Sequence, residues 1–445
     1  MAKYFGTNGI RGLFSELNPQ FAIDVARAIG AYFGHGKILV ARDARITGEC
    51  LKHAVVAGLQ SVGCQVVDLD YSAAPTAEFM VKKLKADGLI IITASHNPPE
   101  WNALKVVDAD DVTVSRERGE AIEKLMGRAD SVSWDRVLPC IPYKAAAHEH
   151  ADAIIGLVDA AKIKSRRPKL VLDCGNGTAA LIAPALFERL GCELVVINAS
   201  MDGRFPGRPS EPTEANVSGL IAAVKSSGAD AGIAWDGDGD RVVFVDEKGS
   251  YVIGDRVFAL SVLWKLGRGS KGDIVTTVAT SRAAEDVAAR FKCKTRYTAI
   301  GAPYLSEAVA KEPAAIAGEE VGGVIWPELS LAKDGFMTAA KMAEALCEKP
   351  LSAWLGGIPV YYNVKKKLGA DTKAKKEIVS RALAHAKGKK LDCVTVDGVR
   401  VNFRDSWVIV RASGTENYAR VFAEAKSEAE AEKLAEEWKK IAEGG

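Results

Sequence analysis

The stretch ADAGIAWDGDGD, Ala229–Asp240, sets an apolar run against three alternating carboxylates, and the join between them decides the fold. The run up to Trp235 reads as a buried strand. Asp236, Asp238 and Asp240 then fall at or beyond its carboxyl end, where open α/β sheets place their ligands. Carboxylates broken by glycines make a poor core strand and a good cation site, because hard divalent cations take oxygen ligands and Mg²⁺ usually serves phosphate chemistry. A surface turn or an adventitious calcium loop is the plainer alternative. The spacing differs from an EF-hand, which needs further ligands and a downstream Glu.

Working outward, the same arrangement recurs. KLVLDCG (Lys169–Gly175), a helix and ELVVINA (Glu193–Ala199) precede the aspartate loop and complete one unit. Upstream, KILVARD (Lys37–Asp43) leads to a helix expected from about Thr47, its cap, to Val62, with Gly63 as the stop. QVVDLD, another helix and GLIII (Gly88–Ile92) follow, ending in TASHNP, Thr93–Pro98. Downstream, DIVTTVATS (Asp273–Ser281) and TRYTAI (Thr295–Ile300) lead to AAIAGEEVGG (Ala314–Gly323). Strands alternating with helices argue for parallel sheets flanked by helices, and the fold class expected is three similar α/β domains with mixed sheets plus a smaller C-terminal α+β domain around a central cleft. Three comparable units, each with candidate chemistry at one corner, predict a repeated fold around a shared cleft.

Beyond residue 355 the pattern changes to short alternating runs, PVYYNVKKK, KLDCVTV, VRVNF, SWVIVRAS and YARVFAEA, and then a helix from Ser427 with Glu430 at capping-box spacing. A smaller α+β domain of antiparallel strands is expected. The domains are placed at 1–150, 151–252, 253–355 and 356–445, since 445 residues exceed what one core supports.

Bulk composition excludes several classes. Net charge is +2 from 59 basic and 57 acidic residues, so no global field recruits nucleic acid or an acidic membrane. MAKYFGTNGIRG lacks the regions of a signal peptide, and no apolar run is long enough to span a bilayer, which predicts a cytoplasmic protein. The eight cysteines are scattered singly, without zinc-site pairing, and most are expected to be buried apolar residues in a reducing compartment.

Ser95 is a hydroxyl presented off a strand end. Beside a bound cation such a serine can carry a phosphoryl group, although a serine capping a helix is the commoner use. TASHNP lacks the G-x-S-x-G elbow of hydrolases. RASGTENYAR, Arg411–Arg420, can wrap a phosphate with backbone N–H groups, hydroxyls and a bidentate Arg, or be an ordinary polar turn. GEEVGG places Glu319 and Glu320 at a strand end, where a carboxylate can accept from sugar hydroxyls or simply be solvated. Lys105 lies within reach of the Ser95 cleft.

FGTNGIRG, TASHNPPEWNALK, DGDGDR, GEEVGG and RASGTENYAR, in that order along essentially the whole chain, resemble the α-D-phosphohexomutases. That family includes phosphomannomutase/phosphoglucomutase and phosphoglucosamine mutase. The resemblance implies four domains around one deep cleft and the interconversion of hexose 1-phosphate and hexose 6-phosphate through a bisphosphorylated sugar. It implies that Ser95 is phosphorylated, that Asp236, Asp238 and Asp240 hold Mg²⁺ together with the Ser95 phosphate, and that Arg11 contacts the phosphoryl group. Lys105 would be a general acid or base, Arg241 a support, and Glu319 a ligand of sugar hydroxyls. Arg411, Ser413, Gly414 and Thr415 would hold the non-reacting phosphate, and hexose 1,6-bisphosphate would act as activator. The partners implied are small sugar phosphates, whether of glucose, mannose or glucosamine, with no nucleic acid or membrane. A homo-oligomer is compatible with the sequence. Two positions depart from the family's usual GExSG and following His: Val321 and Gly323. A metal-dependent sugar phosphatase and a silent sugar-phosphate binding protein are the competing readings.

Overall fold

The computed structural model describes residues 3–6, 8–413 and 418–444, with the backbone alone at residue 372. Four sheets follow one another along the chain. In the first, the strands run in the order Phe5–Gly6, Gly9–Leu13, Trp101–Asp108, Gly88–Ile92, Lys37–Arg42, Gln65–Tyr71 and Ile141–Pro142. Lys37–Arg42 lies parallel to both Gln65–Tyr71 and Gly88–Ile92, while Trp101–Asp108 returns antiparallel to Gly88–Ile92.

The next two sheets repeat this plan. In the second, Lys169–Asp173 is flanked by parallel Glu193–Ile197 and Ala231–Trp235, and Val242–Asp246 returns antiparallel. In the third, Ile274–Thr277 is flanked by parallel Thr295–Thr298 and Ile316–Gly318, and Val324–Ile325 returns antiparallel. In each unit this shared four-strand plan reverses direction between its third and fourth strands. TASHNP, DGDGD and GEEVGG occupy those three reversals, so sheet topology places the three polar loops at equivalent corners.

Leu172, Phe187, Phe244, Phe258, Trp326 and Phe336 belong to one apolar cluster that runs through the second and third units without a break. The first unit keeps its own clusters on its two sheet faces. The last sheet, in the order Tyr362–Gly369, Tyr418–Ala425, Trp407–Ala412, Val399–Asn402 and Cys393–Val394, is antiparallel throughout. It packs on the helices Thr372–Gly388 and Glu428–Glu443. A further apolar cluster of Val278, Ala279, Trp407, Ile409 and Phe422 joins it to the third unit. There the fully buried Arg400 donates to the carbonyls of Val278 and Thr280 at 2.7 and 3.2 Å.

Three local expectations need correction. The second helix spans Thr47–Ser61, but Thr47 does not cap it: Ile46 stands at the N-cap in helical conformation, and the Thr47 hydroxyl accepts from Asn102 Nδ2 at 3.0 Å. Gly63 does end that region, at φ +85. The helix Thr372–Gly388 was not anticipated within the run of C-terminal strands. It is capped by Asp371, which accepts from Lys373 N and Ala374 N at 2.9 and 2.8 Å, and it buries Ile378, Ala382 and Ala386 at four-residue spacing. Of the eight free cysteines only Cys64 and Cys174 are fully buried. Cys192, Cys293 and Cys347 sit at helix ends and the turns beyond them, and Cys140 and Cys393 sit at or beside sheet edges, where cover is partial. Among the described residues, no helix is long and apolar enough to cross a membrane.

Candidate active site

The serine loop is built around a buried arginine. Arg45 lies just past the carboxyl end of the strand Lys37–Arg42 and uses all five of its donors. Nε pairs with Asp43 Oδ2 at 3.0 Å, Nη2 donates to the carbonyls of Ser95 and Asn97 at 3.0 and 2.6 Å, and Nη1 donates to those of Trp101, at 2.9 Å, and Pro98. Its side chain is 0% exposed. Thr93, also buried, donates to Asp43 Oδ2 at 2.7 Å and accepts from Ser95 N at 2.9 Å. This frame holds Ser95 in the left-handed region, at φ +51, which an L-residue adopts only when its surroundings impose it.

So held, the Ser95 side chain meets the aspartate loop of another sheet: its Oγ donates to Asp236 Oδ2 at 2.6 Å. Ser210 Oγ donates to the Ser95 carbonyl at 2.8 Å, and Ala74 N to the Asp238 carbonyl at 2.8 Å, so the two loops are pinned together. Asp236, Asp238 and Asp240 are all buried, and one ligand atom from each lies within 4.8 Å of the others. Burial, then Asp238 and Asp240, push the Asp236 carboxyl up to about 8. Burial opposes ionisation of Asp240 too, but Lys333, Lys105 and Arg241 together hold it below the ordinary range. The Oδ1 atoms of Asp238 and Asp240 are buried without a hydrogen-bond partner. An all-oxygen donor set with two unsatisfied carboxylate oxygens fits a hard divalent cation such as Mg²⁺.

Cations surround the triad. Lys105, on the strand Trp101–Asp108, donates to Asp238 Oδ2 at 2.7 Å and lies 3.8 Å from Asp240 Oδ2. Burial works against its charge, but the two carboxylates prevail and raise its pKa. Arg241 lies 3.9 Å from Asp240 and 3.9 Å from Glu211, with Nε unpartnered. Arg11 stands at the mouth and donates to Asn97 Oδ1. His96 Nδ1 is 3.4 Å from Ser95 Oγ. Burial, then Arg241 and Arg11, drop its imidazole to about 2, so it is neutral.

The GEEVGG loop arrives already engaged. Glu319, expected at a strand end either to accept from sugar hydroxyls or to be solvated, is buried there, and its Oε1 takes a 2.7 Å bond from Lys333, whose Nζ is also 3.2 Å from Asp240 Oδ2. Glu320 accepts from Thr277 Oγ1 at 3.0 Å. Beside these, a cavity of about 340 Å³ is lined by Glu211, Arg241, Glu320, Val321 and Lys365, and so by the second, third and last units together. In the last unit, Arg411 Nη2 pairs with Asp397 at 3.0 Å while its Nε is buried and unpartnered. Arg420 lies directly opposite on the neighbouring strand. Ser413 N donates to the Tyr418 carbonyl and Lys375 Nζ to the Ser413 carbonyl, both at 3.0 Å. Gly414 and Thr415 lie outside the described residues.

Arg45, Lys333 and Lys375 escaped the reading of the sequence. Arg45 had a signal, a charged residue just past the carboxyl end of a first strand. The other two become visible only once their sheets are assembled.

Four domain families match the chain in order. They are Phosphoglucomutase/phosphomannomutase, alpha/beta/alpha domain I over residues 2–133, domain II over 148–249, domain III over 253–361, and the C-terminal domain over 363–441. A phosphoglucomutase/phosphomannomutase of Thermococcus kodakarensis is 39% identical across 98% of this chain and 97% of its own. A phosphoglucosamine/phosphogalactosamine mutase of Sulfurisphaera tokodaii is 36% identical across 100% of both. Among solved structures, a phosphoglucomutase/phosphomannomutase family protein from Burkholderia thailandensis superposes with a TM-score of 0.88 at 27% identity, covering 99% of this chain and 98% of that one.

Proposed function

The chain belongs to the phosphoglucomutase/phosphomannomutase family of α-D-phosphohexomutases, and from that premise we propose that it interconverts hexose 1-phosphate and hexose 6-phosphate through a phosphoserine at Ser95. The observation that carries this is the 2.6 Å bond from the Ser95 hydroxyl, held in a strained backbone, to the buried acidic triad. A serine serving only to cap a turn needs neither.

In this reading a sugar hydroxyl oxygen forms a new P–O bond as the Ser95 Oγ–P bond breaks. Lys105, charged in the resting site, gives the proton from its Nζ to the departing Oγ and takes one from the attacking hydroxyl, so the proton count closes. The bisphosphorylated sugar then turns over and returns its other phosphate to Ser95, with hexose 1,6-bisphosphate able to load an empty serine. Asp236, Asp238 and Asp240, with an oxygen of the serine phosphate, would hold Mg²⁺, which when bound neutralises charge on the phosphoryl oxygens. Arg11 contacts the phosphoryl group and Arg241 supports it. Glu319 accepts from sugar hydroxyls through Oε2, its Oε1 being held by Lys333. Arg411, with its unpartnered Nε, and Ser413 hold the non-reacting phosphate together with Gly414 and Thr415. Docking of the last domain across the cleft excludes water, which would otherwise take the phosphoryl group.

A coupled assay with Mg²⁺ and catalytic hexose 1,6-bisphosphate tests this, offering glucose, mannose and glucosamine 1-phosphates in parallel. The 6-phosphate should appear without release of inorganic phosphate, and Ser95→Ala should abolish turnover. Phosphate release without 6-phosphate would mark a phosphatase instead, and full activity of Ser95→Ala would remove the phosphoserine from the mechanism.

A further inference from the structure

Lys333 is a buried cation shared by two functional loops. Its side chain is 5% exposed, and its Nζ lies 2.7 Å from Glu319 Oε1 on the third unit and 3.2 Å from Asp240 Oδ2 on the second. The backbone beneath it is fixed. Lys333 bridges to Ile325, and Asp334 N donates to the Val324 carbonyl at 2.8 Å. The Asp334 carboxylate caps the helix Gly335–Leu346 through Phe336 N and Met337 N, at 2.8 and 2.9 Å, and meets His150 Nε2 at 2.8 Å.

Its stem fills space that a side chain at 323 would need. A Cβ at Gly323 would fall 2.4 Å from Lys333 Cδ and 3.2 Å from Glu319 Oε1. The ammonium therefore reaches both carboxylates because residue 323 is a glycine, whose φ does not lie in the left-handed range that would demand one.

We propose that Lys333 is a positioning residue that couples the acidic triad to sugar recognition, drawing Glu319 into place for the sugar while weakening the triad's hold on a divalent cation, and that Gly323 is what admits it. This rests on the mutase reading for the sugar and on the triad geometry alone for the cation. The two effects of one ammonium have opposite signs. Next to Asp240 it repels an incoming cation; bonded to Glu319 it orders a carboxylate that the sugar must find in place.

Lys333→Met in the full chain separates these effects. With Mn²⁺ as probe, read by its paramagnetic signal, the variant should bind about tenfold tighter, the scale expected when a charge a few ångströms away is removed. Its KM for hexose 1-phosphate should rise about tenfold, with a smaller change in kcat, if one charge-assisted bond orders the acceptor. Looser binding of both, the mark of simple damage, overturns the proposal. Lys333→Arg should restore the parental Mn²⁺ affinity. Lys333→Ala should repeat the changes of Lys333→Met and Gly323→Ala should imitate it, and the double Ala variant should be no worse than Lys333→Ala by itself; additive losses would overturn the role of Gly323. If no sugar phosphate is turned over by the parent protein, the mutase reading fails while the Mn²⁺ comparison still decides the coupling to the triad.

Discussion

Thr93→Val removes one buried oxygen and almost no volume, which makes it the sharpest probe of the serine loop. The hydroxyl accepts from Ser95 N at 2.9 Å and donates its single proton to Asp43 Oδ2 at 2.7 Å, the shorter of two approaches, the other being 3.1 Å to Asp238 Oδ2. A buried N–H left unpaired costs about 1–3 kcal/mol, and loss of a bond to a charged acceptor about 1.5–3 kcal/mol. Held rigidly, the variant would lose roughly 2.5–6 kcal/mol. The chain has a cheaper exit, because Ser95 sits at φ +51 and its left-handed conformation, itself about 1–2 kcal/mol uphill, can relax once its amide is released. We therefore expect most of the damage in catalysis. An Oγ displaced by about 1 Å corresponds to a loss of roughly 10²-fold in rate. Turnover in the coupled assay and hydrogen exchange at the Ser95 amide should move together, the first down and the second up. Thr93→Ser, which keeps the hydroxyl, should stay near the parent in both. A valine variant with parental turnover and parental exchange at Ser95 would refute the claim that this hydroxyl sets the loop.

Arg45→Met should be more costly to stability, since it strips four carbonyls of a donor and leaves Asp43 buried and unpaired; urea unfolding should show a loss of about 3–5 kcal/mol in the first unit, and an unchanged midpoint would count against the loop frame. Gly177→Ala would set a Cβ 2.6 Å from the Gly237 carbonyl oxygen, so the aspartate loop must shift at a cost of about 1–3 kcal/mol, seen as weaker Mn²⁺ binding. Burial lifts the Asp111 carboxyl to about 7, against opposition from Leu331 N and Lys82. The native state then keeps a proton that the unfolded chain loses above about pH 4. Stability from this group is full below that pH and is lost as pH rises through about 7. Asp111→Asn should thus match the parent near pH 4 and exceed it by up to about 4 kcal/mol at pH 8, as melting at the two pH values would show; a pH-independent difference would refute it.

What could be read from the sequence, and what could not, divides along the range of the interactions. Ala231–Trp235 and Gly88–Ile92 are fully buried strands that end at polar loops, and a run of that kind announces itself locally. The repeat was legible for the same reason: the strand runs recur in one order, and the sheets then supply the reversals that bring their loops together. Lys333 was not legible, because a single basic residue is ordinarily solvated and only assembly shows it enclosed by carboxylates from distant segments, whereas Arg45 offered only its place just past the carboxyl end of the strand Lys37–Arg42. Thr47 misled because its hydroxyl is taken by Asn102, 55 residues on. The helix Thr372–Gly388 was hidden by its lysines, although Asp371 and the four-residue spacing of Ile378, Ala382 and Ala386 marked it.

The charges around the triad explain why so many cations are buried there. Four carboxylates, of Asp236, Asp238, Asp240 and Glu319, face Lys105, Lys333 and Arg241. Burial and its two acidic neighbours raise the Asp236 carboxyl, and the three cations offset much of the negative charge gathered there. A divalent cation entering alone would upset that balance, as would a phosphoryl dianion entering alone. Entering together they nearly cancel. A site of this composition favours a divalent cation and a phosphoryl dianion as a pair over either one, because in a dry cavity each uncompensated charge carries a large desolvation penalty. The buried lysines therefore belong to the electrostatics of the triad: they offset carboxylate charge that would otherwise stand uncompensated in a dry cavity.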